Sequence, residues 1–152
     1  MYGFVRYSFA VTAAFCLVSF AGGRAIGQVL KGEATGDDAA KGRALYTVNC
    51  SACHQASGEG LPGAFPPLKG SGVVNKDDAT KHIHVMLDGM QGAKAGGVVY
   101  ASAMPPFAAV LSDADIADIV DYERSSWGNH GKPVTAAQVA AERANSKGTE
   151  HR

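Results

Sequence analysis

The chain has 152 residues, enough for one small domain and little more. Hydrophobic residues make up 46%, an ordinary globular share, but aromatics only 8%, while glycines number 19, so the core is short of large side chains. Formal net charge is zero, which removes the basic footprint of a nucleic-acid binder and gives no reason to expect a strongly charged partner.

At the start, Arg6 precedes an apolar run from Ser8 to Gly22, and Ala25-Ile26-Gly27 offers a small-x-small cleavage site. The pattern predicts an export signal over residues 1–27, cleaved before Gln28. An uncleaved membrane anchor is the alternative, although about 15 apolar residues fall short of the roughly 20 that a span needs. Cys16 lies inside this run, and Ala13-Ala14-Phe15 before it does not form a lipoprotein acylation box. Removing residues 1–27 takes Arg6 and Arg24 from the 14 basic residues, leaving 12 against 14 acidic and a net charge of −2. Cys50 and Cys53 are then the only cysteines, which leaves no thiol for a structural disulfide.

Residues 28–36 carry Gly32, Glu33, Thr35 and Gly36 without a period and read as a flexible N-terminus. Helix signals follow over Ala39 to Asn49, with Thr35 or Asp37 as cap and Asp37 and Asp38 placed where the helix dipole favours negative charge. Gly42, Tyr46 and Cys50 recur at intervals of four. A glycine inside a helix costs about 1 kcal/mol against alanine, so Gly42 predicts the close approach of another helix.

Cys50-Ser51-Ala52-Cys53-His54 comes next. Two thiols three positions apart on a helical turn can each add to one haem vinyl group, and the adjacent histidine is then carried beneath the ring to bind iron; Cys-x-x-Cys-His is the attachment signature of a c-type haem. A redox dithiol would want a βαβ pattern, and a zinc site a second Cys or His pair; neither is readable here. One covalent haem c also explains how a core poor in aromatics is filled, and its attachment outside the cytoplasm agrees with the export signal.

Gln55 to Gly72 holds five glycines and three prolines and predicts an irregular loop around the cofactor edge. Pro66 and Pro67 both offer a carbonyl that could accept the second ring proton of His54 and fix its orientation. Asn75 to Asp88 predicts a second helix, capped by Asn75 or Asp77, with Ile83 and Leu87 as an apolar pair and Gly89 past the end. His82 and His84 lie two apart on it, so they face different ways and read as solvated or rim residues. Val98-Val99-Tyr100 can pair as a short strand after the Gly96-Gly97 turn. In Ala103-Met104-Pro105-Pro106-Phe107 the prolines forbid helix and stiffen an extended segment, which would present the Met104 thioether to a metal at little ordering cost. Met86 and Met90 remain competing thioethers on these grounds.

Ser112-x-x-Asp115 makes a capping box for the last strong helix. Ile116, Ile119 and Val120 form its apolar stripe, Tyr122 is placed to cover Gly42, and Trp127 closes the element before Gly128. Residues 130–152 read as a polar tail, in which Thr135 and Gln138 could cap a short surface helix to about Arg143, with a frayed end beyond.

The run of helix, Cys-x-x-Cys-His, Pro66-Pro67-Leu68-Lys69-Gly70, Met104-Pro105 and closing helix with an aromatic, in that order, resembles the class I cytochromes c over about residues 36–129. Gly60-Leu-Pro-Gly63, Ala103-Met-Pro-Pro-Phe107 and Ser125-Ser-Trp-Gly-Asn129 are similar to the single-haem cytochrome domains associated with copper nitrite reductases and periplasmic dehydrogenases. Residues 92–97 depart from the Asn-Gly hairpin of those relatives, which leaves the local contact with the haem edge in question. The resemblance implies an all-α, cytochrome c-like fold, three main helices around one haem with long Gly/Pro-rich loops, in a domain spanning 37–129. It implies Met104 as the sixth iron ligand opposite His54, Pro66 as the carbonyl that orients His54, and Gly42 and Tyr122 as the crossing point of first and last helices.

The resulting expectation is an exported, non-enzymatic, monomeric carrier of single electrons between redox proteins. Its membrane contact would be limited to an uncleaved signal or a membrane-bound partner. Two rivals stand beside it. An open sixth position would allow a peroxide-reducing or gas-binding haem, for which His82, His84 and Arg124 are the available distal groups. A subunit of a larger oxidoreductase would use residues 130–152 as its anchor.

Overall fold

The computed structural model describes residues 36–146. The export-signal reading of residues 1–27 lies outside them, as do residues 28–35 and the last six. Five helices and one short hairpin make up the described fold: α1 (Gly36–Asn49), α2 (Ser51–His54), α3 (Thr80–Asp88), β1 (Lys94–Ala95), β2 (Val98–Val99), α4 (Asp113–Ser125) and α5 (Ala136–Arg143). β1 and β2 pair antiparallel across the Gly96-Gly97 turn, with Lys94 opposite Val99. Among the described residues no helix is long and apolar enough to cross a membrane.

α1 and α4 cross at Gly42, where an added Cβ would collide with the carbonyl oxygen of Asp118 and press on Cβ of Tyr122. The absent side chain is what lets the two backbones touch, as the sequence expects. Lys41 spans the crossing to Asp115 at 3.0 Å and Asp118 at 2.7 Å. Below it Tyr46, Tyr122 and Trp127 stack in a three-ring cluster with centroids 5.1 to 5.5 Å apart, a spacing at which tilted aromatic pairs attract beyond their area burial. Trp127 also donates from Nε1 to the Ala56 carbonyl at 3.0 Å, tying the end of α4 to the turn that follows His54.

Ser112 caps α4 through a complete capping box with Asp115. The stripe of Ile116, Ile119 and Val120 is buried and meets Ile83 and Leu87 of α3. α3 starts at Thr80, five residues later than its sequence signals suggest. The buried Arg124 guanidinium takes the carbonyls of Val74 at 2.9 Å and Lys76 at 2.8 Å, so those oxygens are held away from helical partners. Asn75 binds the Ser71 carbonyl and Asn129 rather than capping, and Asp78 Oδ1 accepts from the Thr80 N–H at 2.9 Å instead.

The segment after Asn129 also differs from expectation. α5 has the capping box of Thr135 and Gln138 and is a surface helix, most of its residues being exposed, but it docks on the rest of the fold through one buried side chain. Val139 is fully buried among α3 and α4, a burial that contributes about 1.5–3 kcal/mol. Arg143 pairs with Asp113 at 2.7 Å and donates to the carbonyls of Ala108 and Leu111, stapling α5 across the start of α4. Beyond α5, Ser146 is buried and donates to Asp88 at 2.5 Å, so the chain is still held at this point.

Candidate functional site

α1 ends at Asn49, and Cys50 turns the chain with φ −120° and ψ −35° into the single turn of α2. The bond from the Cys50 N–H to the Tyr46 carbonyl, 2.9 Å, carries the ladder across the junction, and the His54 N–H closes on the Cys50 carbonyl at 2.9 Å. Cys50, Cys53 and His54 thereby line one cleft of about 440 Å³. Burial, with a smaller contribution from Glu123, pushes the Cys50 thiol up, so it stays protonated, the reverse of the low-pKa nucleophile a redox dithiol requires. Among the described residues no group of three or more His, Cys, Asp or Glu side chains is arranged to hold a metal ion.

His54 is buried, and its Nδ1 lies 3.0 Å from the Pro66 carbonyl oxygen. A carbonyl can only accept, so Nδ1 carries the proton and donates, and Nε2 keeps its lone pair for a metal. Of the two prolines with open carbonyls, the structure brings Pro66 to the histidine.

Met86, Met90 and Met104 all line the cleft. Met86 is 1% exposed and packs in the core of α3. Met90 and Met104 form an isolated antiparallel bridge, in which the Met104 N–H donates to the Met90 carbonyl at 2.8 Å and the reverse bond measures 3.1 Å. Gly89, at φ +73°, lies so close behind that an added Cβ would strike the Met104 carbonyl. Prolines after Met104, the bridge beside it and Gly89 behind it hold this segment in one conformation.

His82 is not a rim residue. It is 3% exposed, lines the cleft, and its Nε2 lies 2.8 Å from Glu123 Oε2 of α4, itself 2% exposed. Its Nδ1 is buried without a hydrogen-bond partner among the described residues. Sequence reasoning missed this pair, although Glu123 continues the stripe of Ile116, Ile119 and Val120 by one more turn and His82 stands one turn before Met86. His84 is half-buried rather than solvated, bonded to Asp88 and Glu142 at 3.0 Å each and absent from the cleft lining. Arg124 is fully buried with its guanidinium spent on backbone carbonyls. The distal His and Arg that an open-site haem enzyme would use are therefore not assembled by His84 and Arg124.

Two thiols, an imidazole with one committed nitrogen, nearby thioethers and walls built from Phe65, Leu68 and Phe107 fit a c-type haem. The cytochrome c family model matches residues 39–127. Over 116 residues, covering 75% of this chain, the sequence is 37% identical to the gluconate 2-dehydrogenase cytochrome c subunit of Pantoea cypripedii. It is 38% identical over 96 residues, 63% of the chain, to the cytochrome c subunit of alcohol dehydrogenase (quinone) from Gluconobacter oxydans. These matches span only 26% and 20% of those two proteins. Cytochrome c-552 of Thermus thermophilus is 37% identical over 114 residues, 69% of this chain and 86% of that protein.

Proposed function

Because this chain belongs to the cytochrome c family, whose members hold haem c covalently, we propose that it is an exported single-electron carrier working between redox enzymes in the periplasm. Bound in the cleft, haem supplies one-electron Fe(III)/Fe(II) cycling. Cys50 and Cys53 would hold it through thioether bonds, and His54 Nε2 and the Met104 sulfur would bind its iron. The Pro66 carbonyl keeps the His54 ring in one tautomer and orientation, which limits rearrangement between oxidation states. With His54 and Met104 both bound to the iron, no protein-free position would remain for a substrate, and the chain would transfer electrons without catalysing a reaction of its own. Likeness to subunits of gluconate and alcohol dehydrogenases supports a dehydrogenase as electron donor. Docking over the cleft, which the hairpin strand of Lys94 and Ala95 helps to line, is brief, as a carrier's contacts must be.

The observation that supports this reading most directly is the 3.0 Å contact from His54 Nδ1 to the Pro66 carbonyl, in a cleft that Met104 also lines. Spectroscopy of the haem-loaded protein and its Met104→Ala and Met90→Ala variants tests it. The wild type is expected to be low-spin, with the weak far-red band of sulfur-to-ferric-iron charge transfer. Met104→Ala should lose that band and drop the potential by more than about 100 mV, while Met90→Ala keeps both. A high-spin wild type, or a band lost in Met90→Ala instead, would reject the ligand assignment.

A further inference from the structure

The cleft contains one arrangement that electron transfer alone does not need. His82 and Glu123 face each other across 2.8 Å with side chains 4% and 3% exposed. Burying a carboxylate and an imidazole costs several kcal/mol per charge before pairing repays it, and a well-packed apolar pair would serve stability as well or better. His82 Nδ1 has no hydrogen-bond partner among the described residues, and an unsatisfied buried polar atom carries a further penalty. Both residues line the same cleft as Cys50, His54 and Met104.

The hydrogen bonding fixes where a proton can come and go. A carboxylate only accepts, so His82 Nε2–H donates to Glu123 in either charge state of the ring. Nδ1 is then the atom that gains or loses a proton, and it does so without breaking the bond that holds the pair. With Nδ1 bare the pair carries a net charge of −1, and with Nδ1 protonated it is neutral. In the protonated state the acceptor for Nδ1–H must come from what fills the cleft. An electron entering the cleft makes it more negative by one charge, and in a desolvated site that change acts on a neighbouring proton site with little screening.

Resting on the haem reading of the cleft, we infer that His82 and Glu123 form a redox-linked proton site: His82 Nδ1 takes one proton from water when an electron arrives from the donor protein, and releases it when the electron leaves. One electron and one proton enter together, so the net charge of the cleft is unchanged over the cycle. The potential is then higher at low pH and falls as pH rises, because the deprotonated pair favours the oxidised state.

The surroundings leave few other groups to do this. Tyr46 of α1 and Cys50 just after it both feel the Glu123 charge, but burial pushes the Tyr46 hydroxyl up, and Cys50 would cease to titrate once bonded to the cofactor. Arg124, next to Glu123 on α4, is clamped on backbone carbonyls, with Asp77 and Asp78 around it, and Lys81 stands beside His82 on α3. Two other titratable groups point elsewhere: His84, raised by its Asp88 bond, to Asp88 and Glu142, and Asp121, pushed up to about 6 by burial, to the Val134 N–H.

Midpoint potentials of the haem-loaded full chain between pH 5 and 8, with proton uptake on reduction measured in unbuffered solution, provide the test. The wild type should show a potential that falls with pH over part of this range, with uptake approaching one proton per electron where the slope is steepest. The paired apolar replacement His82→Leu with Glu123→Leu should flatten the dependence and abolish the uptake, and Glu123→Gln, which keeps the shape, should raise the potential at the alkaline end. His84→Asn and Asp121→Asn should keep the wild-type slope. A flat wild-type potential, a slope surviving in Glu123→Gln and the double variant, or a slope lost in His84→Asn or Asp121→Asn overturns the assignment. Should the double variant fail to fold, the wild type and Glu123→Gln decide between the outcomes. The far-red band is read from the same samples: its absence rejects the proposed axial ligands, whereas its presence with a flat potential rejects the proton site alone.

Discussion

Gly42 shows how much can rest on a missing atom. Its hydrogen stands where the Asp118 carbonyl of the facing helix passes, so Gly42→Ala must push α1 and α4 apart or bend one of them. Overpacking of this kind costs typically 1–3 kcal/mol, and here the obstacle is backbone rather than a side chain that can turn away. Denaturant titration of the holoprotein should show a midpoint lowered accordingly; an unchanged midpoint would mean that the crossing has slack. This position was legible in the sequence because an interior glycine is unfavourable unless something needs the space. Cys50, Cys53 and His54 stood out for a related reason, since covalent haem attachment would dictate their spacing. His82 and Glu123 did not. Polar residues occur at solvent positions far more often than at buried ones, and only the 41-residue contact between them distinguishes the two cases.

The helix ends separate what local signals specify from what distant contacts impose. Both capping boxes form as their four-residue patterns require, because each is satisfied within its own turn. The start of α3 is decided by Arg124, nearly fifty residues away, and no pattern near Asn75 announces it. The docking of α5 likewise depends on Val139 and Arg143 finding α3 and α4. His84 joins α3 to α5 by sitting between Asp88 and Glu142, and its pKa is raised first by the Asp88 bond and then by Glu142. A raised histidine stabilises the fold fully below its unfolded value of about 6.5, and that contribution is lost as pH rises through the higher folded value. Thermal unfolding at pH 6 and pH 8 should therefore show the wild type losing more stability than His84→Asn between the two, by less than about 1 kcal/mol for so partly exposed a group. An equal loss in both proteins would remove His84 from the account.

Taken across the described residues, the fold brings the segment just past α4 back to the proposed haem-attachment turn. Trp127, the chain's single tryptophan, is bonded to the Ala56 carbonyl two residues beyond His54 and stacked on Tyr46 one turn before Cys50. Native emission from the indole should be almost fully quenched by energy transfer to the porphyrin. Unfolding expands a chain of about 100 residues from a radius of gyration near 13 Å to about 30 Å, and the proposed thioether links would keep the quencher at Cys50 and Cys53 while the indole drifts away. Fluorescence should rise many-fold through the denaturant transition, in step with loss of the helical circular dichroism signal. A rise that precedes the helical loss would mean that α4 parts from the attachment turn before the helices melt. The protein thus carries its own optical gauge of whether the end of α4 still sits on the turn beyond His54.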